Sequence, residues 1–400
     1  MKNESPKYRF DKFNENWIIV KLSDIACHYK TGGTPSTKDP TFWGGAIPWI
    51  QSSDIQKDRL FGVIPQKFIS EEGLQNSTAK LIPKNSIAIV TRVGVGKLAI
   101  IDQDYTTSQD FLSLSDFNGD TQFIAYSIYR MLQKESTQLQ GTSIKGITKE
   151  DLLLKKISLP EIEEQSAIGS LFRTLDNLLS SYKDNLANYQ SLKATMLFKM
   201  FPKAGQNVPE IRLDGFEGEW EIKRADEIFK SVSEKNKAFL PVLSASQIDG
   251  MVLRDEIGIN IKYDEATLNN YKVVKPGQFV IHLRSFQGGF ALSKLEGITS
   301  PAYTIIDFID KENNLSDFWN SILTSRDFIK RLETVTYGIR DGKSISFKDF
   351  SSLKFVFPEF KEQQAIGAYF SNLDNLINSY QEKISQLVIL KKKLLQDMFI

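Results

Sequence analysis

The sequence predicts an α/β (α+β) protein: two globular domains in tandem repeat, joined by two long helices forming an antiparallel coiled coil, pseudo-twofold overall. Three observations predict it. EEQSAIGSLFRTLDNLLSSY (Glu163–Tyr182) returns near the chain's end as KEQQAIGAYFSNLDNLINSY (Lys361–Tyr380). Both stretches carry apolar residues at a seven-residue period. The segments before them share β-type runs around Gly-containing turns at matching places.

The repeat comes first, because an internal period decides the reading of everything else. An offset of 198 holds without a gap from Leu159/Phe357 to Pro202/Ile400, and 19 of those 44 pairs are identical. Upstream, RFDKFNENW (Arg9–Trp17) matches RLDGFEGEW (Arg212–Trp220) at 203. WIQSSDI (Trp49–Ile55) pairs with VLSASQI (Val242–Ile248) at 193, and NSIAIVTRVGVGK (Asn85–Lys97) with GQFVIHLRSFQGG (Gly277–Gly289) at 192. The offsets drift between landmarks, as expected where loops diverge between elements that stay put. Five segments result: domains at 1–158 and 211–357, spacer helices at 159–202 and 358–400, and a linker, KAGQNVPE, at 203–210.

Stepping by seven through the first tail gives Ile168, Leu175, Tyr182, Tyr189 and Met196; through the second, Ile366, Leu373, Tyr380, Leu387 and Leu394. Pro160 and Pro358 stand where a helix can begin. Such a period marks a coiled-coil helix. Equal lengths and a shared heptad frame favour an intramolecular pair; ordinary core helices or an intermolecular coiled coil are the alternatives. Each tail balances five basic against five acidic residues (159–205 and 357–400), which fits a solvated helix pair better than a DNA-gripping one.

Within the domains, SIAIV and KLAII read as strands around the Arg92–Gly96 turn, and QFVIHL and FALSK around Arg284–Gly289. The helical patches TQFIAYSIYRMLQ and SDFWNSILTSRDFIKRL occupy matching places.

Composition excludes little. Net charge is +1, with 20 basic against 17 acidic residues in 1–158 and 20 against 22 in 206–356, so nucleic-acid binding would have to rest on local patches. One cysteine, Cys27, precludes an internal disulfide and fits a reducing cytoplasm. No apolar run approaches a membrane span, and the polar opening MKNESPKYRF lacks a signal-peptide pattern.

No catalytic constellation emerges. GTSIKGIT (Gly141–Thr148) has phosphate-loop glycines but Ile147 where lysine is required. Cys27–His28 lacks further zinc ligands, and both histidines, His28 and His282, read as structural. Pro209, Glu210, Glu221 and Lys223 loosely resemble a metal-dependent nuclease set, yet the first copy has Ile18 and Val20 at the last two places. What recurs instead is a set of polar, Gly-rich turns whose Arg, Gln and Ser side chains suit base edges. Their glycines admit backbone close to phosphate. Candidate DNA-binding residues are Trp43, Gln51, Ser52, Ser53, Arg92, Lys97 and Lys145 in the first unit. In the second they are Ser246, Gln247, Arg284, Ser285, Gln287, Arg340 and Lys343.

With these residues in place, the chain resembles the DNA-specificity subunits of type I restriction–modification systems. The resemblance rests on the two-unit order and on the paired LPEIEEQSAIGSLFRTLDNLL and FPEFKEQQAIGAYFSNLDNLI segments. GGTPSTKDPTFWGGAIPWIQSSDI and YKVVKPGQFVIHLRSFQGG…SPAY add to it, and coverage is essentially the whole chain.

The resemblance implies target-recognition domains that each read one half of a split site in double-stranded DNA. It implies helices that space the domains and dock two adenine-N6 methyltransferase subunits, with Gln165, Ile168, Phe172, Gln363, Ile366 and Phe370 as candidate partner-binding residues. A motor–nuclease subunit completes the complex. S-adenosylmethionine, ATP and Mg²⁺ belong to those partners, so this chain needs no cofactor and is not itself an enzyme. A coiled-coil scaffold without sequence-specific DNA binding, and a nuclease using Glu221 and Lys223, are the competing readings.

Overall fold

A computed structural model describes residues 6–138, 146–246, 249–257, 265–282, 289–325, 328–330, 332 and 347–400. The chain forms two compact units: Met1–Asn185 with Tyr380–Ile400, and Leu186–Ser379. Each long helix is thus shared between them, so the five-segment division of the sequence does not coincide with the folded units.

In the first unit, Ala26–Thr31, Phe111–Phe117, Ser86–Val90 and Leu98–Ile101 form an antiparallel sheet in that order. Alternation along the central strand divides two cores. Ile87 and Ile89 face the helix Thr121–Gln138, joining Phe123, Ile124 and Tyr126. Ala88 and Val90 face the other way, toward Ile50, Ile82, Tyr105 and Phe111. The strand is buried on both faces, which is why it reads as a continuous apolar run. A second sheet orders Lys67–Ile69, Trp43–Ile50 and Thr106–Thr107, the last pair parallel.

The second unit repeats the first topology: Phe229–Val232, Thr304–Phe308, Phe279–Ile281 and Phe290–Leu292, all antiparallel. Phe279 and Ile281 join the core beneath the helix Ser316–Leu323. Val280 joins Leu243, Ala291 and Ile305 on the opposite face. Two short hairpin-like sheets flank it, Leu243–Ser246 with Gly250–Leu253 and Lys272–Val274 with Gly297–Thr299.

The long helices run Ile162–Lys199 and Phe360–Asp397, 38 residues each and about 57 Å at about 1.5 Å per residue. They start later than the sequence repeat because Lys156–Leu159 and Lys354–Phe357 are strands. Each pairs antiparallel with the strand that opens its domain, Ile18–Lys21 and Glu221–Arg224. Pro160 and Pro358 turn the chain from strand to helix, and their carbonyls accept from the Gln165 and Gln363 side-chain amides at 2.8 and 3.0 Å.

Within each unit the two helices pack antiparallel. In the first, Phe172 meets Phe399 and Tyr182 meets Tyr380, with ring centroids 5.4 and 5.6 Å apart. In the second, Phe201 meets Phe370 at 6.1 Å. Lys391 bonds Asp176 in the first unit and Lys193 bonds Asp374 in the second, a single pair repeated through the 198 offset. The intermolecular alternative therefore does not describe these helices. Among the described residues, no helix is long and apolar enough to cross a membrane.

Candidate nucleic-acid interface

Strand register brings the first unit's polar turns to one end of its four-stranded sheet. Thr31 lies opposite Leu112, Val90 opposite Phe111 and Ile89 opposite Leu98. The loops after residues 31 and 90, and before 98 and 111, therefore share that end. Ile50 lies beside Thr107, which adds the Gln51–Asp54 turn.

Hydrogen bonds weld these loops together. Gly33 N–H donates to the Thr107 carbonyl at 2.9 Å, and Ser108 N–H to the Ile50 carbonyl at 2.9 Å. The Asp110 carbonyl accepts from Thr91 N–H at 2.7 Å and from Thr91 Oγ1 at 2.9 Å. Ile147 N–H donates to the Thr91 carbonyl at 2.8 Å, which docks the start of the segment that opens the helix Lys149–Leu154. Thr148 caps that helix, accepting from Asp151 N–H at 3.0 Å.

The glycines of the TGGTPS stretch turn out to serve close approach within the chain. A Cβ on Gly32 would stand 2.1 Å from the Ser108 carbonyl oxygen, and one on Gly33 2.2 Å from that of Thr78. Gly94 and Gly96 serve turn geometry, with φ of 92° and 95°, in the left-handed region that other residues rarely adopt.

The candidates differ in their surroundings. Arg92 is exposed at the tip of its turn and, among the described residues, has no hydrogen-bond or ion-pair partner. Val93, beside it, is 71% exposed. Lys97 reaches back to the Ser52 carbonyl at 3.3 Å, joining two predicted loops, and among the described residues its ammonium pairs with no carboxylate. Gln51 and Ser52 are half-buried, Gln51 N–H bonding Asp54 at 3.0 Å, while Ser53 is exposed. Trp43 is committed elsewhere. Its indole N–H donates to the Ser36 carbonyl at 3.0 Å, its ring lies 5.1 Å from Trp49, and Lys67 covers both rings.

In the second unit Ser246 is held in a turn with Asp249, its Oγ 3.0 Å from Asp249 Oδ2. His282 N–H donates to the Gly289 carbonyl at 3.1 Å at the matching end of the second sheet, and burial pushes the imidazole's pKa down. Lys145, Gln247, Arg284, Ser285, Gln287, Arg340 and Lys343 lie outside the described residues.

The six predicted partner-binding residues are interior. Gln165, Ile168 and Phe172 belong to the first unit's buried set, and Gln363, Ile366 and Phe370 to the second's. Gln165 Oε1 accepts from Asp120 N–H at 2.9 Å, and Gln363 Oε1 from Leu315 N–H at 3.1 Å. The apolar period through Ile168 and Ile366 is thus a packing signal, and the two glutamines are spent on backbone within their own unit. What the helices offer outward is different: Leu192 in the second unit and Leu390 in the first, a repeat-matched pair, are 37% and 44% exposed.

The nuclease-like set does not assemble. Glu210 is bound by Lys199 and Lys203 at 2.9 and 3.1 Å, and Glu221 by its neighbour Lys223 at 2.9 Å. Among the described residues no cluster of three His, Cys, Asp or Glu side chains could hold a metal ion.

Sequence reasoning passed over residues 106–110, TTSQD, through which most of these loops are joined. A signal existed: at the offset of 192, residues 107–110 fall on Thr299–Ala302, which overlaps the second unit's SPAY signature.

The family model for the type I restriction modification DNA specificity domain matches residues 14–188 and again 217–388. The chain belongs to this family. Its two specificity domains are the two repeat units recognised above. Two relatives are specificity subunits of type I restriction enzymes from Methanocaldococcus jannaschii. The MjaIX subunit is 25% identical over 238 residues, 56% of this chain but only 54% of that protein. The MjaVIII subunit is 23% identical over 406 residues, 95% of this chain and 91% of that protein. The fold is also that of the type I restriction–modification S subunit from M. genitalium, with a TM-score of 0.64 at 16% identity over 99% of both chains.

Proposed function

We propose that the chain is a non-catalytic DNA-recognition subunit of a type I restriction–modification complex, each specificity domain reading one half of a bipartite site in double-stranded DNA. The observation that carries this is the welded loop end of the first domain. It holds Arg92 exposed and, among the described residues, without a hydrogen-bond or ion-pair partner, with Lys97, Ser52 and Ser53 in the adjoining turns. An unpaired guanidinium on a rigid turn suits guanine O6/N7 or a phosphate. The second domain repeats the topology that presents such an end, and we assign Arg284, Ser285, Gln287, Arg340 and Lys343 to its reading surface.

The long helices, in this reading, set the spacing between the half-sites. A helix of about 57 Å is ample for half-sites one DNA turn apart, about 34 Å. They also dock two adenine-N6 methyltransferase subunits, through their solvent faces rather than their buried heptad positions. The matched, exposed Leu192 and Leu390 give each unit one equivalent anchor for two equivalent partners. S-adenosylmethionine, ATP and Mg²⁺ are assigned to the methyltransferase and motor–nuclease subunits.

The test is co-expression with a cognate methyltransferase subunit, followed by genome-wide mapping of N6-methyladenine. A split motif is expected, with one half changing when residues 1–158 are exchanged for those of a variant. An unsplit motif, or methylation indifferent to this chain, sinks the proposal and leaves the scaffold reading.

A further inference from the structure

We propose that Gln109 is a base-reading residue of the first specificity domain, directed at an adenine in one half-site. This rests on the DNA-reading assignment above and narrows it to a residue outside every motif that the repeat pattern highlights.

The segment that carries Gln109 is the most constrained piece of the loop end. Thr106 Oγ1 donates to the Pro48 carbonyl at 2.9 Å, and the backbone of Thr107, Ser108 and Asp110 bonds Gly33, Ile50 and Thr91 at 2.7 to 2.9 Å. Thr106, Thr107 and Ser108 are buried, whereas Gln109 is exposed. A polar side chain is therefore displayed from a backbone tied down on both sides of it, which reduces the backbone ordering left to be done on binding.

Its chemistry is equally specific. Oε1 lies 3.4 Å from Thr34 Oγ1, and among the described residues Nε2 has no partner. A carboxamide with a free donor and an adjacent acceptor matches adenine N6 and N7, and, being neutral, it gains little from a phosphate. Asp110, the next residue, accepts from Thr91, and Thr91 precedes Arg92. The Thr91–Asp110 junction thus joins the segments that carry Gln109 and the exposed Arg92. At the offset of 192 the second domain has Pro301, which has no side-chain donor or acceptor. The effect of Gln109 is therefore confined to one half-site.

The experiment uses the full chain in complex with its methyltransferase subunit, competing the mapped site against duplexes with single base-pair replacements. Wild type discriminates at one A·T pair of one half-site by about ten-fold or more. Gln109→Ala abolishes that discrimination, leaves the other half-site unchanged and leaves the melting temperature unchanged. Gln109→Glu, an acceptor only, shifts the preference at that pair toward cytosine. Wild-type discrimination at every position in both variants, or a uniform loss across all sequences, overturns the proposal. Arg92→Ala and Lys97→Ala separate the two levels. If they alter binding to that half-site while the Gln109 variants do not, only the inference fails. If none of the four variants does, the DNA-reading assignment fails with it.

Discussion

Lys391 pairs with Asp176 inside the first unit, and the pair is closed off from solvent: the two side chains are 7% and 10% exposed. The repeat-matched pair in the second unit, Lys193 with Asp374, is 30% and 45% exposed. The difference comes from the domain, not the helices. Tyr126 donates to the second Asp176 oxygen at 2.6 Å, and Tyr129 bonds Asp58, whose carbonyl accepts from Lys391 at 3.4 Å. At the matched places the second unit has Ser321 and Thr324. One repeated ion pair has become a buried network in one unit and remained a surface contact in the other. Burial, with the Asp176 carboxylate beside it, pushes the Tyr126 phenol's pKa well up, so the hydroxyl stays a donor at neutral pH.

Lys391→Ala should therefore cost about 3–5 kcal/mol, because it strands Asp176 in the packing, whereas Lys193→Ala should cost about 0–1 kcal/mol. Denaturant unfolding of the two variants measures the gap. Equal losses would show that burial does not govern this pair.

Arg9 and Arg212 make the other repeated clamp. Each guanidinium grips a buried carboxylate through two bonds of 2.8 and 2.7 Å, Glu164 and Glu362 respectively. The hydrogen bonds to these carboxylates raise both arginine pKa values. Arg9→Ala and Arg212→Ala should each destabilise their own unit by about 3–5 kcal/mol. Adding Glu164→Gln to the first should restore part of the loss, and a double-mutant cycle checks it.

Gly33→Ala puts a methyl group against the Thr78 backbone, where no rotamer can relieve it. A loss of about 1–3 kcal/mol is expected, together with loosened protection of the Thr107–Ser108 amides in hydrogen exchange. Gly205→Ala, in the linker, meets no atom within 4 Å and bears only the strain of its φ of 82°. It should cost about 1 kcal/mol without touching those amides.

Lys97→Ala should weaken DNA binding about equally across sequences and lower the salt slope by about one unit. Arg92→Ala should damage one half-site only. Titrations at several salt concentrations distinguish the two, and identical profiles would contradict the division between phosphate and base contact.

Asp307 predicts an acid limb confined to the second unit. Burial acts to raise its pKa, but hydrogen bonds from Lys311 and Gln278, both 2.8 Å, prevail and hold it below the usual carboxylate value. A folded pKa below the unfolded one, about 3.9, gives stability that is complete above that pH and lost as pH falls through the folded value. Asp307→Asn should flatten stability below about pH 4. The first unit has Ser115 at this place, and its melting should show no change in that limb on the substitution.

The repeat, the strand pair around the 92–96 turn and the two long helices were legible in the residues alone. Those features rest on local periodicity, and Ile87/Ile89 against Ala88/Val90 alternate as a two-sided strand must. The sequence also placed Arg92, Lys97 and Ser52 in one set of turns. Which of these side chains are exposed and which are held by neighbours depends on contacts distant along the chain. Ile168 and Phe172, candidates for partner binding by resemblance, are apolar, but apolar side chains say only that something covers them, and the cover is the unit's own core. Trp43 looked like a reader, but its indole donor is already bonded to the Ser36 carbonyl and its ring packs on Trp49. Gln109 stood outside the quoted motifs, and the 192 offset sets it against Pro301. The case proposed for it rests on backbone hydrogen bonds to Gly33, Ile50 and Thr91 made by its neighbours, contacts distant along the chain that leave no local period to read.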